Sequence, residues 1–298
     1  MNRRQFQRTA VAVAAAAGWP TVVRAETRRT DRAAHDAAAA RADWSAIEAA
    51  SGGRLGVAVL RGDGRIDGHR LDERFPMCST FKWLATANVL ARVDRGEERL
   101  DRRVRFGREV LLAHSPVTTP HAGTADGMTI AELCDAAITE SDNAAANLLL
   151  ARLGGPAGVT RFVRTLGDDA TRLDRTEPTL NASRPGDPRD TTTPRAMAAS
   201  MRRAVLGDAL APASRAQLAR WLEATKTNGR RLGAAVPPGW RLGSKTGTGA
   251  HGSTNDVGVF WPPSGEAFVV AVYLTATQAS EDARNGAIAA VARAVTSM

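Results

Sequence analysis

Three runs near the C-terminus decide the architecture: Leu242-Gly243-Ser244-Lys245-Thr246-Gly247-Thr248, Asp256-Val257-Gly258-Val259-Phe260-Trp261 and Ala267-Phe268-Val269-Val270-Ala271-Val272-Tyr273-Leu274-Thr275. They are short and rich in β-branched and aromatic residues, and Pro262-Pro263-Ser264-Gly265 supplies a turn between the last two, so each reads as a β-strand. A closing helix is predicted over residues 278–295. At the other end of the chain, Leu55, Val57 and Val59 alternate with small residues over 54–60, the pattern of a strand. Arg61-Gly62-Asp63-Gly64 then turns the chain into a return strand over 65–71, which Phe75-Pro76 closes. Before this hairpin, an Ala-rich helix over 26–50 carries Trp44 and Ile47 on one stripe and stops at Ser51-Gly52-Gly53. The middle reads as helical over 79–95, 129–139, 143–153, 155–166 and 195–206. It is broken at Gly154-Gly155 and across the Pro- and Asp-rich stretch 174–194, a loop long enough to suggest function. This order predicts an α+β fold, with an antiparallel sheet flanked by helices and completed by both ends of the chain, and an all-α subdomain inserted between them. Expected boundaries are 26–70 with 221–298 for the α/β part and 71–220 for the helical part. The site is expected at their junction, because pockets favour such interfaces.

Composition narrows the function. The chain has 298 residues, 43% hydrophobic and 24% charged, which excludes global disorder. Two cysteines cannot build a disulfide framework. No apolar run reaches the roughly 18–20 residues of a membrane span, and no solenoid-type repeat is present. Met1-Asn2-Arg3-Arg4-Gln5-Phe6-Gln7-Arg8, an apolar stretch over 9–23 and the close Val23-Arg24-Ala25 have the form of an export signal. The paired arginines before Phe6 make it a twin-arginine (Tat) type, with cleavage near Ala25 and a periplasmic or secreted product. Of the 40 Lys and Arg, four (Arg3, Arg4, Arg8, Arg24) lie in that segment, so 36 basic residues face 31 acidic ones and the processed charge is +5. No basic run interleaved with aromatics points to nucleic acid. A modest positive field favours small anionic substrates. No membrane association is expected after processing.

Only three of the basic residues are Lys: Lys82, Lys226 and Lys245. Lysine can be driven to lose its proton, and arginine in practice cannot, so each lysine is a candidate for chemistry. Lys82 closes Ser79-Thr80-Phe81-Lys82 at the start of a predicted helix. Residues three apart share a helix face, which lets the hydroxyl and amine meet and lets a neutral amine activate the serine. Ser141-Asp142-Asn143 lies at a junction of helical segments, where Asp or Asn also serves as an N-cap. Lys245-Thr246-Gly247 combines a cation and a hydroxyl that can grip a carboxylate with a glycine that lets backbone approach closely.

In this order the three motifs resemble the signature shared by class A β-lactamases and penicillin-binding proteins. The resemblance extends to Met77-Cys78-Ser79-Thr80-Phe81-Lys82, to the run from Ala137 to Leu149, to Arg175-Thr176-Glu177-Pro178-Thr179-Leu180-Asn181 and to Asp190-Thr191-Thr192-Thr193-Pro194, and it spans Ser51 to Asn285. It implies a β-lactamase/transpeptidase-like fold and hydrolysis of penicillin- and cephalosporin-type lactams through a Ser79 acyl-enzyme. The Ser79 and Thr248 N–H groups would form an oxyanion hole. The resemblance makes either Lys82, or Glu177 through a water, the acylation base. Ser141 would pass a proton to the lactam nitrogen and Asn143 would hold the side-chain amide. Lys245, Thr246, Gly247 and Thr248 would form the strand that binds the substrate carboxylate. Glu177, with Asn181, would activate the deacylating water. Arg175 and Asp190 would tie the ends of the loop, and Glu177–Pro178 would be cis.

Several positions depart from the commoner pattern. His114, before Ser115-Pro116-Val117-Thr118, takes the place of an aromatic gate. Thr254 stands where many relatives carry a carboxylate-binding arginine, and Arg231, with Arg230 as the fallback, aligns with the alternative arginine. The position that would pair with Cys134 is Thr86, and the one that would pair with Cys78 is Gly249, so neither family disulfide is expected. His35, His69, His121 and His251 fall in no ligand spacing, so no metal or cofactor is expected. Two other readings share the serine chemistry. A DD-peptidase or penicillin-binding protein would lack the deacylating pair Glu177 and Asn181, and a β-lactam sensor would add membrane spans. The expected partner is a small-molecule β-lactam, bound by a monomer.

Overall fold

A computed structural model describes residues 42–297. The predicted export signal, and the part of the first predicted helix before residue 42, lie outside the described residues. That helix is seen as α1 (Trp44–Ser51), capped by Asp43 Oδ1 on Ala46 N at 2.9 Å and ended by Gly52 in the left-handed region at φ 60°. Strands β1 (Arg54–Leu60) and β2 (Ile66–His69) form the hairpin. β2 is shorter than predicted because Arg70, at φ 46°, turns the chain out of the sheet. The short β3 (Phe75–Pro76) precedes α2 (Phe81–Asp94).

The inserted block follows. It holds β4 (Arg103–Val104), β5 (Met128–Thr129), α3 (Ile130–Thr139), α4 (Asn143–Arg152), α5 (Pro156–Thr165), β6 (Thr191–Thr192), α6 (Pro194–Met201) and α7 (Pro212–Glu223). The helix predicted over 195–206 is α6 running into a π-turn at Arg202–Leu206, and α7 was not among the predicted helices. Thr129 and Glu132 form a reciprocal capping box on α3, and Asp142 caps α4. The chain closes with β7 (Arg241–Thr248), β8 (Thr254–Trp261), β9 (Phe268–Thr275) and α8 (Glu281–Thr296). Among the described residues no helix is long and apolar enough to cross a membrane.

The five-stranded sheet has the order β2-β1-β9-β8-β7, every pair antiparallel. β1 lies against β9 from Arg54↔Thr275 to Leu60↔Val269, so both ends of the chain build one sheet, as predicted. Alternation sorts each strand between two cores. Phe268, Val270, Val272 and Leu274 of β9 face α1 and α8 with Trp44, Ile288 and Val291. Val269, Ala271 and Tyr273 face the helical block with Phe81, Leu84 and Met197. α6 lies across β1 and β9, and α7 lies against β7. Glu48 locks α1 to the hairpin: its carboxylate accepts from Leu55 N at 3.0 Å and from Arg70 Nε and Nη2 at 2.6 and 2.8 Å.

Candidate active site

Ser79 lies in a 3-10 turn, Cys78–Thr80, that feeds α2. The turn is pinned from three sides. Thr80 Oγ1 donates to Met77 O at 2.8 Å, and Met77 N donates to Asp190 O at 2.9 Å. Asn255 Nδ2 of β8 donates to Pro76 O and Met77 O at 2.9 and 3.0 Å. β7 runs so close that a Cβ on Gly247 would fall 2.7 Å from Met77 O and 3.2 Å from Ser79 N. Only glycine lets the strand carrying Lys245 and Thr248 lie against the serine.

The serine hydroxyl departs from the simplest expectation. It donates to Glu177 Oε1 at 3.0 Å and makes no hydrogen bond to Lys82. Lys82, one turn on and fully buried, reaches the same Glu177 oxygen at 3.0 Å. Its amine also donates to Asn143 Oδ1 at 2.6 Å and to Ser141 O at 2.7 Å, and Ser141 Oγ lies 3.3 Å away. Ser141, in the left-handed region at φ 59°, turns its hydroxyl between the two buried amines. Lys245 Nζ donates to it at 3.0 Å and to Thr246 O at 2.9 Å. Burial holds Lys82 below the ordinary lysine range, and the Glu177 carboxylate opposes the shift. Lys245 is held well below that range by burial and then by the charge of Lys82.

Glu177 is held at both ends. Asn147 Oδ1 accepts from Glu177 N at 3.0 Å and Asn147 Nδ2 donates to Glu177 O at 2.9 Å. Asn181 Nδ2 donates to Glu177 Oε2 at 2.5 Å, and Asn181 Oδ1 is buried without a protein partner. The Glu177–Pro178 bond is cis. The loop's neck is closed by Asp190, which accepts from Asp174 N at 2.7 Å, Arg175 N at 2.9 Å and Arg175 Nε at 2.5 Å.

On the far side, Arg231 is buried behind the end of β7. Its Nε donates to Asn285 Oδ1 at 2.8 Å, Nη1 to Gly247 O and Asn255 O at 2.9 and 2.8 Å, and Nη2 to Thr248 Oγ1 at 2.7 Å. Four of its five N–H groups are thereby used, and the fifth is beside Thr248. Arg230 is instead exposed and paired with Asp282. Thr246 Oγ1 lies 2.6 Å from Thr227 Oγ1. Thr254 stands opposite Thr248 on β8. His114 is exposed, and its Nε2 lies 2.9 Å from Glu140 O beside the Ser141 turn. Cys78 and Cys134 are both buried and free. A Cβ on Gly249 would fall 2.6 Å from Cys78 Sγ. Among the described residues no group of three metal-ligating side chains converges.

Thus Ser79, Lys82, Ser141, Asn143, Glu177, Asn181 and Lys245 form one bonded cluster, with Thr246, Gly247, Thr248 and Arg231 along its edge and His114 at its rim. Sequence reasoning passed over Asn147, Asn255 and Asn285. The readable signal was a polar side chain inside an otherwise apolar helix or strand, where burial demands a partner.

Fold and cleft together define an active-serine hydrolase. The family model described as the beta-lactamase enzyme family matches residues 39–298. The chain is 46% identical to beta-lactamase L2 of Stenotrophomonas maltophilia over 295 residues, 98% of this chain and 97% of the relative. It is 50% identical over 253 residues to a beta-lactamase of Streptomyces albus G, covering 83% of this chain and 80% of the relative. A solved ancestral (GNCA) class A β-lactamase is similar at 61% identity and a TM-score of 0.83, covering 85% of this chain and 97% of that one. The chain belongs to the β-lactamase enzyme family, in class A. It is a serine β-lactamase that hydrolyses β-lactams, and an acyl-enzyme is general to the class.

Proposed function

We propose that Ser79 is the nucleophile and that Glu177 serves both halves of the reaction. Ser79 Oγ attacks the lactam carbonyl and its proton passes to Glu177 Oε1, the oxygen to which it is already bonded at 3.0 Å and which Lys82 shares. The Ser79 and Thr248 N–H groups receive the oxyanion. As the C–N bond breaks, Ser141 Oγ gives its proton to the lactam nitrogen and is re-protonated from Lys82, which takes back the proton held by Glu177 across their 3.0 Å contact and leaves the carboxylate charged again. A water held by Glu177 and the free acceptor Asn181 Oδ1 then gives a proton to Glu177 and attacks the ester, and as the ester C–O bond breaks Glu177 returns that proton to Ser79 Oγ. Lys245, Thr246, Thr248 and the remaining N–H of Arg231 hold the substrate carboxylate, Asn143 its amide, and His114 borders the mouth.

The observation that carries this reading is Glu177: a fully buried carboxylate with one oxygen on the nucleophile and the other on Asn181. It favours a hydrolase over a penicillin-binding protein or sensor, which has no use for rapid release of the acyl group. Mixing the protein with excess benzylpenicillin and following absorbance and protein mass tests it. The expected result is continuous loss of lactam with little standing adduct, and, in Glu177→Gln, a Ser79 adduct that forms far more slowly and then persists. A single burst with a stable adduct in the unaltered protein overturns the reading.

The supporting sequence features also lead us to assign residues 1–25 to a twin-arginine-type export signal and the mature enzyme to the periplasm or medium, as a monomer. The subdomain limits are assigned to 26–70 with 221–298 and to 71–220. Arg175 and Asp190 are assigned the structural role of closing the loop.

A further inference from the structure

On the other side of the β7–β8 ribbon lies a buried charge that the reaction does not use. Asp256 stands directly opposite Thr246 and is fully buried. Its Oδ2 accepts from Leu232 N at 3.1 Å, and its Oδ1 has no hydrogen-bond partner. The neighbouring Ser244 oxygen accepts from Asn228 Nδ2 at 2.9 Å, which leaves its own O–H to hold the Asp256 carboxyl down. A backbone N–H and one neighbouring hydroxyl do not satisfy a fully buried carboxylate, so its charge must also be balanced by cations nearby. The cations that act on it are Arg231, which precedes Leu232, and Lys245, which precedes Thr246. From α8, Glu281 and Arg284 act on Arg231 in turn. The same two cations are assigned above to the substrate carboxylate, so one pair of positive charges serves a resident and an incoming anion.

We propose that Asp256 is a positioning residue for substrate binding: it pins the turn that carries Arg231, and its charge sets how strongly Arg231 and Lys245 attract the substrate carboxylate. The inference rests on the reading that these two residues hold that carboxylate. Burial pushes the Asp256 carboxyl up to about 6, so it is charged at neutral pH and neutral in acid. Once neutral, it no longer offsets the two cations or repels the incoming anion. Affinity for a carboxylate therefore rises as pH falls through about 6, and by linkage the bound anion raises the carboxyl further. For two like charges roughly 10 Å apart in an effective dielectric of about 20–40, the change in Kd is on the order of fivefold.

The test is binding without turnover. Ser79→Ala in the full chain is titrated with benzylpenicillin from pH 5 to pH 8, with tryptophan fluorescence as readout. Kd is expected to be about fivefold lower at pH 5 than at pH 8, and low and flat in Ser79→Ala/Asp256→Asn. A flat profile in Ser79→Ala overturns the proposal with no change at residue 256. A slope retained in the double variant also overturns it, and assigns the titration to another group. Ser79→Ala/Arg231→Ala checks the underlying reading and should bind more weakly at every pH. If it binds as tightly as Ser79→Ala, the carboxylate assignment itself is wrong, whatever residue 256 does.

Discussion

Replacing Asp190 asks whether the neck of the Glu177 loop sets the rate of acyl release. The Asp190 carboxylate is buried and is the common acceptor for Asp174 N at 2.7 Å, Arg175 N at 2.9 Å and Arg175 Nε at 2.5 Å. The side chains are 1% and 19% exposed, so solvent screens the pair little. Breaking such a pair from one side costs about 3–5 kcal/mol, and each charge-assisted bond about 1.5–3 kcal/mol. The three bonds are not additive, so Asp190→Ala is expected to cost about 4–6 kcal/mol. Asp190→Asn keeps Oδ1 for the two backbone donors but loses the charge and the Arg175 Nε bond to Oδ2, about 2–3 kcal/mol. In a protein of this size the Asn variant should melt roughly 5–10 °C lower. Glu177 is two residues from Arg175, and a displacement of about 1 Å costs on the order of 100-fold in rate. Deacylation should slow by that factor, and a Ser79 adduct should become visible by mass spectrometry during benzylpenicillin turnover. An Asn variant with the expected loss of Tm but unaltered turnover and no adduct refutes the claim that the neck positions Glu177.

Two further substitutions probe other parts of the frame. Gly247→Ala drives a methyl group to within 2.7 Å of Met77 O, so β7 must withdraw from Ser79; kcat/KM for benzylpenicillin should fall at least about 100-fold with circular dichroism unchanged, and near-normal kcat/KM contradicts the close-approach argument. Glu48→Gln removes a carboxylate held down to about 2 by its hydrogen bonds to Arg70. Because the folded value is depressed, that stabilisation is present above the unfolded value of 4.5 and is lost as pH falls through about 2. After allowance for solvent the variant should be about 1–2 kcal/mol less stable at pH 7 in urea unfolding, with the gap closing near pH 2. A gap independent of pH would point to lost packing instead.

The sheet was legible because β7, β8 and β9 announce themselves locally, as runs of β-branched and aromatic residues with turn residues between them. That both ends of the chain complete one sheet was legible from the element order, but the particular pairing of β1 with β9 was not, because no local pattern encodes it. The two-residue strands β3 and β6 were not legible, since each exists only by pairing with the other across the inserted block. The cluster of Ser79, Lys82, Ser141, Glu177 and Lys245 was legible through motifs whose residue types the chemistry requires. What the motifs did not carry was who bonds to whom. Spacing alone puts Ser79 next to Lys82, yet the hydroxyl points to Glu177, supplied by a loop nearly 100 positions away and steadied by Asn147. Arg231 was readable as a cation. Its role as a clamp across Gly247 and Asn255 depends on contacts that no local pattern encodes.

The seam between β1 and β9 also has a consequence for how the molecule is made. Arg54 must find Thr275, some 220 positions later. At a synthesis rate of about 5–20 residues per second, the first hairpin waits roughly 10–40 s for its neighbour. Throughout that interval Leu55, Val57 and Val59, fully buried in the finished enzyme, have no core to enter, and one edge of the hairpin stays open. Lowering the temperature or slowing the supply of chains during production acts on this interval, because it reduces the number of open edges present at once. Yield should therefore depend more steeply on expression rate than the stability of the finished fold would suggest.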